Sequence, residues 1–141
     1  MTKQCMAATS FNIISCAEAN VIELNSILKK GLAVKFYDYL LKQMHIPSGE
    51  LAAALDISSK TLYNRKHKGK FNFHESERIM RYIKIFQRAA DVLNGSENAR
   101  RWFNTPQRAL GNEKPIEFAT TEIGAREVED LLGRIEHGVY S

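Results

Sequence analysis

Apolar residues in this chain of 141 residues recur at the three- and four-residue spacing of an α-helix from Val21 to Ile135. Glycine, proline and the pair Asn94-Gly95 interrupt this spacing, and such residues end helices because they favour conformations outside the helical region. No segment shows the alternation of apolar and polar residues that is typical of a strand. The sequence therefore predicts an all-α fold of about eight helices with short connections.

Capping residues mark where several of these helices begin. Serine and threonine side chains accept a hydrogen bond from the first backbone amides of a helix, which have no partner within the helix. We therefore expect caps at Ser48, Ser58, Ser96 and either Thr120 or Thr121.

A break at residues 94–96 separates two parts of opposite charge. Residues 1–95 hold 14 Lys and Arg against 8 Asp and Glu, whereas residues 96–141 hold 6 against 8. This asymmetry is typical of a protein that meets DNA at one end and a different partner at the other. We expect an N-terminal extension and helix at 1–32, a DNA-binding domain at 33–95 and a small helical domain at 96–141.

The composition argues against several classes of function. Cys5 and Cys16 stand outside any C-x-x-C motif and are expected to be reduced thiols in a cytoplasmic protein. No apolar run reaches the roughly 18–20 residues that cross a bilayer, and the N-terminus lacks the features of a signal peptide. The histidines have no metal-binding spacing, and no nucleophile motif or phosphate-binding loop occurs. We therefore expect no membrane contact, no cofactor, no small-molecule substrate and no catalysis.

Residues 46–70 have the pattern of a helix-turn-helix, in which the second helix enters the major groove of DNA. The two helices need small residues where they touch, and residues 52–54 are three alanines. Asp56 occupies the turn position where glycine is common, and aspartate tolerates the left-handed conformation at modest cost. The apolar residues expected to fix the crossing of the helices are Leu51, Leu55, Ile57 and Leu62.

The second helix of this motif carries polar and basic side chains suited to DNA. Serine, threonine, asparagine and arginine near its start are suitable readers of base edges. Lys66, Lys68 and Lys70 resemble phosphate contacts, which position a protein without specifying sequence. The alternative is a solvated basic helix in a protein that binds no DNA. The expected DNA-binding residues are Ser58, Ser59, Lys60, Thr61, Asn64, Arg65, Lys66 and Lys68.

The last third of the chain combines two adjacent aromatic residues with a final amphipathic helix. Trp102 and Phe103 are expected to be core residues, since aromatics at helical spacing usually anchor a core. Arg100 and Arg101 are expected to face solvent. The expected buried face of the final helix consists of Val128, Leu131, Leu132 and Ile135.

The end of the chain has an unusual composition. The final helix is expected to stop at Gly138, and the sequence closes on the ring of Tyr140 and the carboxylate of Ser141. A short peptide with a ring and an anion can enter a pocket built for a nucleotide, with the carboxylate in place of phosphate oxygens. The alternative is a frayed terminus, the commoner condition of chain ends.

Residues 99–141 carry a set of short motifs that is quite specific. These are the Trp102 helix, Asn104-Thr105-Pro106, Ala109-Leu110-Gly111, Lys114-Pro115-Ile116, Thr121 with Gly124, and Ile135-Glu136-His137-Gly138-Val139-Tyr140. With them the segment resembles the C-terminal toxin-binding domain of Xre/MbcA/ParS-type antitoxins. The helix-turn-helix and the helix from Glu75 resemble the Xre-like part of that family, so that the likeness covers about residues 33–141. Residues 1–32 are not informative.

The resemblance implies an antitoxin paired with a RES-domain toxin, an enzyme related in fold to ADP-ribosyltransferases that consumes NAD. It implies that the C-terminal end occludes the toxin's active site, and that the complex binds its own operator DNA and represses transcription. Carried over, the toxin contacts fall on Arg126, Glu129, Arg134, Glu136, His137, Tyr140 and Ser141.

Two departures from the family pattern and one alternative accompany this interpretation. Asn112 stands where a second glycine is common, and Phe118-Ala119 replaces the usual leucine-rich pair. We expect a homodimer, because helix-turn-helix proteins commonly read paired half-sites. The alternative function is a stand-alone helix-turn-helix transcriptional regulator whose C-terminal domain only mediates dimerisation.

Overall fold

The structure is a computed structural model, and it describes residues 21–138. Its elements are α1 (Val21–Lys30), α2 (Val34–Met44), α3 (Ser48–Ala54), α4 (Ser59–Lys68), α5 (Phe73–Val92), α6 (Ser96–Phe103), a 3-10 turn (Arg108–Leu110), α7 (Pro115–Phe118) and α8 (Glu122–Glu136). Within this part, extended pairing is limited to two isolated bridges, so the all-α prediction is confirmed. The expectations for Cys5, Cys16, Tyr140 and Ser141 concern residues outside the described range.

Helix α5 forms the centre of the fold and packs against α1, α2, α6 and α8. A capping box begins it, in which Asn72 accepts a hydrogen bond from the amide of Glu75 and the Glu75 carboxylate accepts one from the amide of Asn72. The apolar spacing predicts a single buried stripe, but a helix covered on several sides buries more than one. Its buried residues include Ile79, Tyr82, Ile83, Ile85, Phe86 and Ala89.

Helices α3 and α4 form the predicted helix-turn-helix. The predicted contact residues Leu51, Leu55, Ile57 and Leu62 are all buried. Asp56 adopts a φ of 58°, so the left-handed turn conformation expected there is confirmed. Ala52 is buried, whereas Ala53 is exposed, because consecutive residues of a helix point about 100° apart. The prediction that all three alanines lie in the contact is therefore wrong for Ala53.

Two of the predicted helix caps are confirmed. Ser58 accepts a hydrogen bond from the amide of Thr61 at 3.1 Å and so begins α4. Thr121 accepts one from the amide of Gly124 at 2.9 Å and so begins α8. The start of each helix is therefore determined by its own capping residue.

The caps predicted at Ser48 and Ser96 are wrong. Each residue occupies the first helical position, and the residues at the cap positions are Pro47 and Gly95. The hydroxyl of Ser48 instead lies 2.9 Å from the hydroxyl of Tyr37, which also donates to the Ser48 carbonyl. The hydroxyl of Ser48 is therefore engaged with another helix and does not cap α3.

Aromatic residues join the C-terminal part of the chain to α5. Phe103 is fully buried as predicted, and its ring stacks on that of Phe86 with centroids 5.7 Å apart. Trp102 is half-buried and meets Phe103 edge to face. The Tyr82 hydroxyl donates to the carbonyl of Ile116 at 2.7 Å, and burial raises the pKa of Tyr82 well above its usual value. Helix α5 packs against α1 and α2, which precede residue 95 in the sequence, and against α6 and α8, which follow it. The packing therefore does not mark a boundary at this residue, and the domain boundaries remain predictions.

One of the two arginines before Trp102 is not where the sequence predicts. Arg100 is half-buried, and its guanidinium donates to the carbonyl of Gln43 at 2.9 Å, so that it joins α6 to α2. The prediction that it faces solvent is wrong. Arg101 is exposed, as predicted.

Both departures from the family pattern fit the fold. Asn112 has a φ of 66° directly after Gly111 at 68°, and asparagine is among the few residues with a side chain that adopt this conformation readily. Ala119 is fully buried, and Phe118 packs against the core, so the pair still supplies apolar contacts beneath α8.

Candidate functional sites

Six of the eight residues predicted to bind DNA are exposed at the start of α4 or along it, and Thr61 and Arg65 are half-buried. Ser58 and Thr61 lie at its start, where their hydroxyls are 2.9 Å apart. Because Ser58 also caps the helix, part of its bonding capacity is engaged within the chain. Four residues of the predicted set are exposed on α4 and make no such contact within the chain. They are Ser59, Lys60, Asn64 and Lys68.

Arg65 makes the main polar contact between α4 and α5. Its guanidinium is bidentate on Glu75, with Nε–Oε1 at 2.8 Å and Nη2–Oε2 at 3.2 Å. The Glu75 side chain is 8% exposed and that of Arg65 25% exposed. A fork-shaped pair of this kind fixes orientation as well as distance. Arg65 therefore holds the helix-turn-helix on α5, and its role as a DNA contact stays a prediction.

The surroundings of Glu75 favour its ionised form. Burial by itself raises the pKa of Glu75, but the hydrogen bonds from Arg65 and the Asn72 amide and the charges of Arg65 and Arg78 outweigh burial and hold the pKa below its ordinary value. The hydrogen bond to Glu75 raises the pKa of Arg65 in turn. A carboxylate with a depressed pKa contributes stability above the pKa of the unfolded chain, and this stability is lost as the pH falls through the folded pKa.

We expect Glu75→Gln to lower the free energy of unfolding at pH 7 by about 2 kcal/mol, because the amide removes the charge that faces Arg65. The difference from the wild type should shrink as the pH falls below the ordinary pKa of glutamate, about 4.3, because the unfolded wild-type chain then takes up a proton that the folded carboxylate resists. Urea unfolding at pH 7 and at pH 3 measures both effects. Glu77→Gln, an exposed carboxylate of the same helical turn, is the control and should change stability by less than about 0.5 kcal/mol. An equal difference at the two pH values would contradict the ion pair.

The predicted DNA site omits two residues that share the exposed side of α4. Tyr63 is 64% exposed, and its ring meets the ring of His67 with centroids 4.6 Å apart. Both follow Lys60 at helical spacing, and that spacing could have placed them in the site. Lys66 is also exposed, with its Nζ 5.9 Å from the centroid of the Tyr37 ring.

Helix α8 buries one face and leaves its charged face exposed. It packs against α5, α7 and the 3-10 turn. Arg126 and Glu122 lie 3.5 Å apart and are each 73% exposed, and such a pair contributes little to stability. Glu129 is exposed one turn further on. The predicted inner residues Val128, Leu131 and Leu132 are buried, and Ile135 is half-buried.

The C-terminal end of α8 is tied to α5. The guanidinium of Arg88 donates to Glu136 at 2.8 Å, and both side chains are 46% exposed. His137 caps the end of the helix and is exposed, as is Gly138. Of the predicted toxin contacts, Glu136 and His137 therefore lie together at this end.

Arg134 has an incomplete set of partners. One of its terminal nitrogens lies 3.5 Å from Glu127, but its Nε is buried and has no hydrogen-bond acceptor among the described residues. Both residues line an open cavity of about 650 Å³ together with Arg108. A buried donor without an acceptor costs free energy.

The candidate surfaces of α4 and α8 meet α5 at different points. Arg65 of α4 contacts Glu75 near the start of α5, and Glu136 of α8 contacts Arg88 near its end. At the helical rise of 1.5 Å per residue, these anchor points are about 20 Å apart.

Among residues 21–138, no group of three or more His, Cys, Asp or Glu is arranged to hold a metal ion. In the same part, no helix has both the length and the apolar character needed to span a membrane.

Comparison with known proteins assigns both halves of the chain. Residues 23–84 match the antitoxin Xre-like helix-turn-helix domain, and residues 88–138 match the antitoxin Xre/MbcA/ParS C-terminal toxin-binding domain. A protein named antitoxin Xre from Yersinia enterocolitica is 40% identical over 116 residues, which cover 81% of this chain and 78% of the relative. An antitoxin Xre from Photorhabdus laumondii is 37% identical over 121 residues, which cover 84% of this chain and 81% of the relative. Two domain matches in this order, and relatives similar over most of their length, show that the chain belongs to the Xre family of antitoxins.

Proposed function

We propose that this antitoxin blocks the active site of an NAD-degrading RES-domain toxin and represses its own operon by binding operator DNA. The observation that carries the proposal is the match to a helix-turn-helix domain and to a toxin-binding domain within one chain. The anchor points of α4 and α8 on α5 lie about 20 Å apart. Toxin and DNA can therefore bind without competing for the same residues.

The exposed side of α4 supports operator binding. Lys60 and Asn64 have the donor groups that read base edges in the major groove, and Lys68 has the charge for a phosphate. Helix-turn-helix proteins read two half-sites through a twofold axis, so we propose that the antitoxin acts as a homodimer. The proposed location is the cytoplasm, where the operator lies.

The surface of α8 supports toxin binding. The exposed charges of Arg126, Glu129 and Glu136 and the exposed imidazole of His137 are suited to a polar interface rim, and the guanidinium of Arg134, which lines an open cavity, is suited to an acceptor from the toxin. Beyond this surface, Tyr140 is proposed to fill the nucleotide pocket of the toxin. Ser141, the next residue, is proposed to contact the toxin at the same pocket.

The proposal predicts that the purified chain stops NAD consumption by the RES-domain toxin encoded in its operon. One equivalent of antitoxin should abolish turnover, because a plugged active site cannot admit NAD. The measurement is the NAD concentration over time at rising ratios of antitoxin to toxin. A helix-turn-helix protein of similar charge but without the C-terminal domain is the control and should leave turnover unchanged. Full turnover with excess antitoxin, or an operon without a RES-domain reading frame, would contradict the proposal.

A further inference from the structure

A strongly basic cleft lies where the end of α1 meets the end of α4. It encloses about 250 Å³, and its lining includes no carboxylate. The groove between α2, α5 and α8, by contrast, includes Asp91 and Glu129. A concave surface with charges of one sign concentrates ions of the opposite sign. The charged residues that line the basic cleft are Lys29, Lys30, Arg65, Lys68 and Lys70.

The positive charge of this cleft is largely uncompensated. Arg65 is neutralised by Glu75, which lies beneath it. Across residues 21–138, the ion pairs involve none of the four lysines of the cleft. Four like charges side by side repel one another, so the cleft is suited to an anion that bridges them.

Backbone contacts hold the two sides of the cleft together. The amide of Phe71 donates to the carbonyl of Leu32 at 2.9 Å, and the amide of Val34 donates to the carbonyl of Gly69 at 3.0 Å. Gly31 has a φ of 101°, and a Cβ atom added there would overlap the carbonyl oxygen of Phe71. These backbone contacts place the end of α1 beside the end of α4. The lysines of the two helices are therefore close to one another without contacts between their flexible side chains.

The cleft lies at the opposite end of α4 from the residues proposed to read bases. Lys60 at the start of α4 and Lys68 at its end are about 12 Å apart along the helix axis. With the start of α4 at the base edges, the cleft at its end faces the phosphate backbone that borders the groove.

We propose that the cleft binds the phosphate backbone of DNA, and that Lys29 and Lys30 of α1 each contact a phosphate beyond those contacted by the helix-turn-helix itself. This inference rests on the proposed operator binding. The competing explanation is that lysines in the last turn of a helix only offset its dipole. A dipole effect changes the stability of the fold, whereas a phosphate contact changes the salt dependence of DNA binding.

The test compares Lys29→Gln/Lys30→Gln with the wild type in DNA binding between 50 mM and 200 mM salt. The probes are fluorescent duplexes of the promoter upstream of the chain's own operon and of the same bases in scrambled order. Loss of two phosphate contacts should reduce the slope of log affinity against log salt by about two units. The fall in affinity over this salt range should then be about tenfold smaller, and equally so for both duplexes, since phosphates carry no sequence information.

Matched variants distinguish the effect of the cleft lysines from a general effect of net charge and from the proposed operator recognition. Lys42→Gln/Lys84→Gln removes two exposed lysines elsewhere and should keep the wild-type slope, as should Lys29→Arg/Lys30→Arg. Asn64→Ala should lower the preference for the promoter without changing the slope. A wild-type slope for Lys29→Gln/Lys30→Gln, or an equal change in the Lys42/Lys84 control, would contradict phosphate binding by the cleft. This holds even if Asn64→Ala behaves as expected. A wild-type protein with no preference for the promoter overturns operator binding instead.

Discussion

Removal of residues 138–141 is expected to weaken inhibition of the toxin by at least about 100-fold and to leave operator binding unchanged. The deletion takes away Tyr140 and Ser141, the two residues proposed to enter the active site. A hot-spot residue of an interface commonly contributes 2 kcal/mol or more, which is about 30-fold in affinity at 1.4 kcal/mol for each tenfold, so the loss of two such residues should exceed about 100-fold. The inhibition constant measured by NAD consumption and the affinity for the promoter duplex report the two functions separately.

Single substitutions sharpen this test. Tyr140→Ala should reproduce most of the loss of inhibition, whereas Tyr63→Ala removes an exposed ring from α4 and should leave inhibition unchanged. A stand-alone regulator whose C-terminal domain only dimerises would lose nothing specific on deletion. Retained inhibition by the shortened chain would show that the toxin is blocked by the surface of α8 and not by the closing peptide.

The features that follow from the sequence have causes within a few residues. Asp56 adopts the left-handed conformation because its own side chain tolerates it, and Ser58 caps α4 because the amide it serves is three residues away. The helix-turn-helix and the buried face of α8 are predictable for the same reason, since helical spacing determines which residues share a face.

The features that could not be predicted depend on partners brought close by folding. Ser48 meets Tyr37 from another helix, and Arg100 donates to the carbonyl of Gln43, which lies 57 residues earlier in the chain. Arg65 has the composition of a DNA contact, and only the packing of α4 on α5 shows that Glu75 is its partner.

The same limit applies to the basic cleft. The sequence motifs do not include residues 1–32. Lys29 and Lys30 in this segment have the ordinary composition of a helix end. Their position beside Lys68 follows from the hydrogen bonds that join the segment after α1 to the segment after α4. Tyr63 is a different case, since its place on the exposed side of α4 follows from spacing alone.

Gly124→Ala is expected to destabilise the fold by roughly 2–4 kcal/mol and to lower its Tm by roughly 10 °C. A Cβ atom at this position would overlap the carbonyl oxygen of Phe118 and would lie 3.0 Å from the Thr121 hydroxyl oxygen that caps α8. The end of α7 and the start of α8 approach each other there with no side chain between them. Because Phe118 contributes backbone and not a flexible side chain, the whole turn must shift to make room.

Gly133→Ala is the matched control, because it makes the same chemical change in the same helix with the opposite expected sign. The nearest atom to an added Cβ there is a terminal nitrogen of Arg88 at 3.8 Å, which is ordinary contact. Replacing glycine by alanine inside a helix where space allows stabilises by about 0.5–1 kcal/mol. Thermal and urea unfolding of both variants measure the difference. A Gly124→Ala chain as stable as Gly133→Ala would mean that α7 and α8 do not approach each other at Gly124, and the position assigned to α8 would then be wrong.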